Sequence, residues 1–126
     1  MNLMRFKKVT SDEFVINTEI ILDVSRLAES YVTGATCVMT FAGTSDSILT
    51  WTVDGTDAAE KLLNAQKMAD YLIDKMLPYV GDKMNRKEFN TVYKLWDGMT
   101  IAEIHTETGI VRTSAANTAL ISLALS

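Results

Sequence analysis

The sequence predicts an α+β fold: an N-terminal antiparallel sheet of three to five strands covered by one long helix, followed by a C-terminal three-helix unit of helix-turn-helix type. Three observations support this prediction. Two segments alternate with a period of two, one long segment carries an apolar stripe with a period of 3.6, and two helix-capping pairs lie in the last third of the chain. A turn at 81–84 divides the chain into two expected domains, 1–83 and 84–126.

An antiparallel hairpin is predicted from two strands at 36–41 and 48–53. Both segments are rich in β-branched and aromatic residues, and the turn-rich sequence AGTSDS joins them. The second segment alternates between two faces, as expected for a strand with one buried face. Trp51 is therefore expected in the core. The buried face carries Leu49, Trp51 and Val53, and the opposite face carries Ile48, Thr50 and Thr52.

The region before the hairpin gives weaker signals. Short strands are predicted at 4–9 and 14–16, on either side of a turn at Ser11 and Asp12. Segment 19–32 fits two interpretations, because its apolar residues match a helical period while the first of them also alternate as a strand. We favour a strand, since a hairpin needs at least a third strand to be stable.

A long helix is predicted to begin after the hairpin. Asp57 and Glu60 have the spacing of a capping box, and Pro78 and Gly81 are expected to end the helix. The helix is predicted to pack on the sheet with one apolar stripe. That stripe comprises Leu62, Ala65, Ala69, Leu72, Ile73, Met76 and Val80, opposite the polar residues Lys61, Asn64, Lys67 and Asp74.

The C-terminal segment carries two helix starts 15 residues apart, at Asn85 with Glu88 and at Thr100 with Glu103. The first helix is expected to be lined by Phe89, Val92, Tyr93 and Trp96, and the second by Ile101, Ile104 and His105. Gly109 is expected to end the second helix with a positive backbone angle. A third helix is predicted through Ala115 and Ala119 to the following apolar run.

This segment resembles the helix-turn-helix of LuxR-type activators and of region 4 of sigma factors. The positions that match the pattern are Glu88, Val92, Leu95, Gly98, Thr100, Glu103, Ile104, Gly109 and Ile110. The resemblance implies that the third helix enters the major groove of double-stranded DNA. It implies DNA contacts by Arg112, Thr113, Ser114 and Asn117, together with Thr100. The segment departs from the family at His105 and Val111, where small and hydroxyl-bearing residues are usual.

The charge distribution does not favour strong DNA binding. Residues 1–83 carry eight Lys or Arg against twelve Asp or Glu, and residues 84–126 carry four against four. Neither part has the basic excess of a nucleic-acid-binding surface. Arg112 is the one basic residue of the predicted recognition helix, so few phosphate contacts are expected.

The apolar run at the end of the sequence predicts a protein contact. As a helix it would have no polar face, so we expect the N-terminal unit, a second copy or a partner protein to cover it. The expected interface residues are Leu120, Ile121, Leu123 and Leu125.

Composition narrows the remaining classes. The chain has one cysteine, Cys37, and one histidine, His105, too few for a usual structural zinc site. No phosphate-binding loop, metal motif or hydrolase motif is present, so we expect no enzyme and no cofactor. No apolar run reaches the roughly 18 to 20 residues of a membrane span, and no signal peptide is recognisable, so a cytoplasmic location is expected, or host cytoplasm or virion for a phage protein.

Two functions are compatible with these features. The first is a small DNA-binding or transcription-associated regulator, with the N-terminal module used for oligomerisation or partner binding. The alternative is a structural or protein-interaction component, for example of a phage particle or another assembly, whose C-terminal helices dock a partner protein. The expected partners are thus double-stranded DNA, a second copy of the chain, or another protein, without a membrane.

Overall fold

The computed structural model describes residues 2–10, 13–80, 91–110 and 120–125. Within these residues the chain has an α+β fold with two sheets and two α-helices. The strands are β1 (Leu3–Thr10), β2 (Glu13–Asp23), β3 (Leu27–Thr33), β4 (Thr36–Phe41), β5 (Ser47–Val53), β6 (Tyr93–Lys94) and β7 (Leu120–Leu125), and the helices are α1 (Ala58–Met76) and α2 (Ile101–Thr108).

The strands form a three-stranded sheet of order β2-β1-β6 and a four-stranded sheet of order β3-β4-β5-β7. All neighbours in the four-stranded sheet are antiparallel, whereas β6 pairs in parallel with β1. A short 3-10 helix, Val24–Arg26, connects β2 to β3 and so leads from one sheet to the other. β7 also contacts β1, so the two sheets meet at that strand.

The strand positions predicted for the first half of the chain are confirmed, but the single N-terminal sheet is wrong, because β1 and β2 lie in one sheet and β3, β4 and β5 in the other. The segments expected at 4–9, 14–16, 36–41 and 48–53 all lie in strands, and β4 pairs with β5 as a hairpin. The strand interpretation of 19–32 is also confirmed, with the 3-10 helix as an interruption. A two-residue turn joins β3 to β4, and its first residue, Gly34, has a φ of 54°. Such a turn favours glycine at this position because other residues are strained there.

The long helix begins where its capping pair predicts. The Asp57 side chain accepts a hydrogen bond from the backbone N–H of Glu60 at 2.8 Å, which satisfies one of the free donors at the helix start. α1 ends at Met76, and Pro78 lies in the 3-10 turn Leu77–Tyr79 that follows.

The predicted stripe of α1 is confirmed only in part, because Val80 lies beyond the end of the helix and Met68, which was not assigned to the stripe, is buried. Leu62 is 39% exposed, while Asn64 is fully buried. The reason is a hydrogen bond of 2.8 Å from Asn64 Nδ2 to the backbone oxygen of Asp54, the residue after β5. This bond satisfies the amide and lets the polar side chain take an inward position.

One buried cluster unites the two sheets and both helices. It contains Phe6 of β1, Trp51 of β5, Leu72 of α1 and Ile104 of α2. The ring of Trp51 makes edge-to-face contacts with Phe6 at 6.0 Å and with Trp96 at 5.4 Å between centroids. Aromatic pairs of this geometry contribute about 0.5–1.5 kcal/mol beyond the burial of their surface.

The prediction of a C-terminal three-helix unit is wrong. Its first helix was expected to reach Trp96, but Tyr93–Lys94 is the strand β6, and Trp96 has a φ of 58°, which a right-handed helix cannot contain. Pairing with the edge of β1 replaces the helical hydrogen bonds here, and Leu95 N also donates to the backbone oxygen of Arg5 at 3.1 Å. The predicted start at Asn85 lies outside the described residues.

The second of these helices is confirmed. Thr100 and Glu103 form a complete capping box at the start of α2, and Gly109 ends the helix with a φ of 75°. The third is not helical in its last part, because Leu120–Leu125 is the strand β7, paired with β5. A short apolar run fits a buried strand as well as a buried helix. Residues 111–119 lie outside the described residues.

Candidate protein-interaction surface

The four-stranded sheet has an inner face, on which Cys37, Met39, Leu49 and Trp51 belong to the buried cluster with α1, and an outer face directed away from that cluster. The register of the strands arranges the outer face in three rows across the sheet. These rows are Glu29, Thr40 and Ile48; Tyr31, Val38, Thr50 and Ala124; and Thr33, Thr36, Thr52 and Ser122.

The outer face is almost free of charge. Glu29 is the one charged residue among the eleven positions, and five of the others are threonines. Solvent-facing sheet surfaces usually carry polar and charged side chains, whereas protein interfaces are depleted of charge at their centre. With 22% charged residues in the whole chain, this face carries less charge than the chain as a whole.

Two large side chains on the outer face are exposed. Tyr31 is 48% exposed and Ile48 is 36% exposed, and they lie on neighbouring rows, Tyr31 on β3 and Ile48 on β5. Between them, Val38 is only 9% exposed because its neighbours on β3 and β5 surround it. The face therefore offers a shallow surface with an apolar centre and two accessible apolar groups.

The inner face fixes the geometry of the outer one. Cys37, Met39, Leu49 and Trp51 alternate with the outer residues of β4 and β5, and each is at most 1% exposed. A shift of one residue in either strand would expose this core and bury threonines, which costs far more than any gain in pairing. The threonine rows are consequently held in a single arrangement.

The predicted interface residues lie in β7. Pairing places Leu125 opposite Leu49 and Leu123 opposite Trp51, in register with the inner rows. Leu125 is 48% exposed. A role of Leu120, Ile121, Leu123 and Leu125 in a contact with another molecule stays a prediction, but as parts of a strand these residues already belong to a sheet of their own chain.

The structure does not test the predicted set of DNA-binding residues. Arg112, Thr113, Ser114 and Asn117 lie outside the described residues. Thr100 has a local role, because its hydroxyl accepts from Glu103 N at 3.2 Å and donates to Glu103 Oε1 at 3.0 Å. The capping box thus occupies the side chain that the resemblance assigned to DNA.

A polar cluster joins α1 to α2. The Tyr71 hydroxyl donates to Glu107 Oε1 and accepts from Trp96 Nε1 at 3.2 Å. Lys75 Nζ lies 3.6 Å from the same Glu107 oxygen and 5.5 Å from the centre of the Tyr71 ring. Burial, followed by the hydrogen bond to Glu107, raises the pKa of Tyr71. The phenol therefore stays protonated and acts as a link between helices.

Cys37 and His105, the one cysteine and the one histidine of the sequence, both have structural surroundings. Cys37 is buried, and burial raises the pKa of its thiol to about 11, against a lowering by the hydrogen bond with Ser30. A thiol of this pKa is not a nucleophile at neutral pH. His105 is 7% exposed, and its Nδ1 lies 3.3 Å from the backbone oxygen of Ile110. That contact connects α2 to the residue after Gly109.

No three His, Cys, Asp or Glu side chains of the described residues come together as a set of metal ligands. Neither helix in the described part of the chain combines the length and apolar composition needed to cross a membrane. Comparison with models of protein families, with curated proteins and with solved structures gave no match.

The sequence contained part of the signal for the outer face. It assigned Ile48, Thr50 and Thr52 to the side of β5 opposite Trp51, and the structure confirms that side. It did not identify the face as a site, because the threonines of β3 and β4 come to lie beside Thr50 and Thr52 only when the strands pair. The pattern TCVMT of β4, with threonines two residues on either side of Val38, repeats the same signal.

Proposed function

We propose that this chain is a structural component of a protein assembly and that it binds a second copy of itself through the outer face of the four-stranded sheet. The observation that supports this proposal is the single charge among the eleven positions of that face. A chain with a net charge of −4 repels its own copies. An uncharged face is the part of its surface where two copies meet with the least repulsion.

The shape of the face also suits a second copy. Sheets pack face to face with their strands nearly aligned and about 10 Å between the sheets. Tyr31 and Ile48 project where the opposing sheet would cover them, and threonines lose little side-chain entropy in such packing. Nothing in the face requires a partner of opposite charge, since its one carboxylate, Glu29, lies in a peripheral row.

The size of the face sets the expected affinity. Four strands about 4.8 Å apart and some seven residues long cover about 19 Å by 23 Å. The area of this rectangle is close to half of the roughly 800 Å² that each partner contributes to a stable interface. We therefore expect concentration-dependent association. DNA binding through Arg112, Thr113, Ser114 and Asn117 stays a separate prediction, and the described surface offers no observation in its favour.

Sedimentation velocity over a wide range of concentration tests the proposal, with Thr50→Lys as the variant and Gln66→Lys as its matched control. Thr50 lies in the central row of the face, whereas Gln66 is exposed on α1, and both changes add one positive charge. We expect the wild type and Gln66→Lys to associate alike and Thr50→Lys to be at least about tenfold weaker, a difference of about 1.4 kcal/mol.

Circular dichroism and thermal unfolding of both variants establish that each is folded. A wild type that sediments as a monomer at every concentration would overturn the proposal. Equal association constants for the two variants would overturn it as well, because they would place the contact elsewhere.

A further inference from the structure

Among the residues that the structure describes, no strand pairs with the outer edge of β3 in the four-stranded sheet. β3 pairs with β4, and it pairs with no other strand that the structure describes. The regular part of this pairing runs over Glu29–Thr33, because the register shifts between Leu27 and Glu29. An unpaired edge of this length presents a row of backbone donors and acceptors to any extended chain that approaches it.

The register irregularity between Leu27 and Glu29 protects the start of this edge, but Glu29–Thr33 lacks several other features that usually prevent such pairing. Sheet edges are commonly protected by lysine, proline or an inward-pointing charge. The sequence LAESYVT of β3 contains none of these, and its one charge, Glu29, belongs to the outer face. Tyr31, at the middle of the regular segment, is 48% exposed.

The backbone direction of each residue follows from the turn that joins β3 to β4. Thr33 and Thr36 flank this two-residue turn, and residues in that position exchange backbone hydrogen bonds with each other. Alternate residues of a strand direct their backbone groups to opposite edges. Tyr31 therefore bonds towards β4, whereas Ser30 and Val32 direct their backbone N–H and C=O groups to the open edge.

We infer that β3 pairs antiparallel with β3 of a second copy, about a two-fold axis at Tyr31. This inference rests on the proposed function, to which it adds a second contact between copies. In this register the two Tyr31 side chains face each other at a non-hydrogen-bonded position, where side chains are closest. Ser30 lies opposite Val32 of the second copy, so the backbone groups of the open edge meet and bond.

The charges agree with this register. Glu29 lies opposite Thr33 of the second copy, so no like charges meet across the pair, and the aromatic pair at the axis is a stabilising cross-strand combination. The two four-stranded sheets would join into one sheet of eight strands. Their outer faces would then be continuous, which doubles the area available for the face-to-face contact.

Cysteine cross-linking tests the position of the two-fold axis, because a residue on the axis faces the same residue of the second copy. We place Tyr31→Cys in the Thr50→Lys background, which weakens the face-to-face contact, and oxidise the protein under native conditions. Residues facing each other across antiparallel strands have Cα atoms about 4.5–5.5 Å apart, within the range of about 4.4–6.8 Å that disulfides require. A disulfide-linked dimer is the expected product.

Thr33→Cys in the same background is the matched control. Thr33 is exposed on the same strand, but in the inferred register the two copies of it are separated by four residues, about 13 Å. We expect Tyr31→Cys to give mostly dimer on a non-reducing gel and Thr33→Cys to stay monomeric. Buried Cys37 is present in both variants, so it does not affect the comparison of their cross-linking.

Folded Tyr31→Cys protein that stays monomeric, or equal cross-linking of the two variants, would overturn the edge pairing. Either result leaves the proposed function intact if Thr50→Lys still weakens association relative to Gln66→Lys. Conversely, cross-linking at Tyr31 alone, with no effect of Thr50→Lys on association, supports the edge pairing and overturns the face-to-face contact.

Discussion

Trp96 donates its indole N–H to the hydroxyl of Tyr71 at 3.2 Å, and this bond joins the segment before α2 to the middle of α1. Trp96 is 3% exposed and contacts Trp51 in the core, so its N–H has little access to water. The hydroxyl of Tyr71 accepts the hydrogen bond from this N–H and itself donates to Glu107. One phenol thus serves as the polar link between the two helices and the core.

Tyr71→Phe should destabilise the protein, because it leaves the Trp96 N–H without this acceptor and removes the donor to Glu107. A buried polar group that loses its partner costs about 1–3 kcal/mol. The free energy of unfolding from urea titration measures the effect. Tyr31→Phe, measured at low protein concentration, removes a hydroxyl from an exposed ring and should change stability little. Equal losses for the two variants would contradict the assigned link.

Asp23 should make the protein less stable in acid. Burial alone would raise the pKa of Asp23, but hydrogen bonds from the Ser25 hydroxyl and from the backbone N–H groups of Asn2 and Ser25 outweigh it and lower the pKa. Because the folded-state pKa lies below the unfolded value, the carboxylate stabilises the fold above the unfolded pKa of about 3.9. This contribution is lost as the pH falls through the folded-state pKa.

Asp23→Asn should therefore lower the unfolding free energy at pH 7 by about 1–3 kcal/mol and should make stability less dependent on pH between 4 and 2. Urea titrations across this pH range measure both effects. Asp70→Asn, at an exposed position of α1, is the matched control and should leave both unchanged. An unaltered acid dependence in Asp23→Asn would show that the acid sensitivity arises at another carboxyl group.

Thr100→Ala should weaken α2 from its start. The substitution removes the capping bond to Glu103, and loss of an N-cap costs about 0.5–2 kcal/mol. Hydrogen exchange at the backbone amides of α2 should become faster, with the largest change in the first turn. Thr106→Ala is the control, since Thr106 donates only to a backbone oxygen of its own helix, that of Ala102, at 3.1 Å. Alanine is a better helix former than threonine, so exchange there should be unchanged or slower.

Local chemistry predicted the elements whose signals lie within a few residues. Asp57 and Thr100 were assigned as helix starts because a capping side chain and its amide are three residues apart, and no distant part of the chain decides that bond. The alternation around Trp51 was equally local. These predictions held because the same residues that form the pattern form the contacts.

The C-terminal segment shows where local chemistry is insufficient. The helical spacing of Val92 and Trp96 was overridden by a partner 89 residues away in sequence, since Met4 pairs with Tyr93. Leu120–Leu125 likewise became a strand because β5 offered an edge. Neither partner can be read from the segment itself. The outer face was missed for the same reason, as its rows exist only once the strands are paired.

The position of β7 has a consequence for the order of folding. β5 ends at Val53, but the strand that completes its other side begins at Leu120, after both helices. During synthesis this edge of β5 therefore stays unpaired until β7 has left the ribosome. Contacts so distant in sequence slow folding and prolong the exposure of unpaired strands. The nascent chain is thus vulnerable to aggregation until β7 emerges, and a chaperone that shields β5 would reduce this risk.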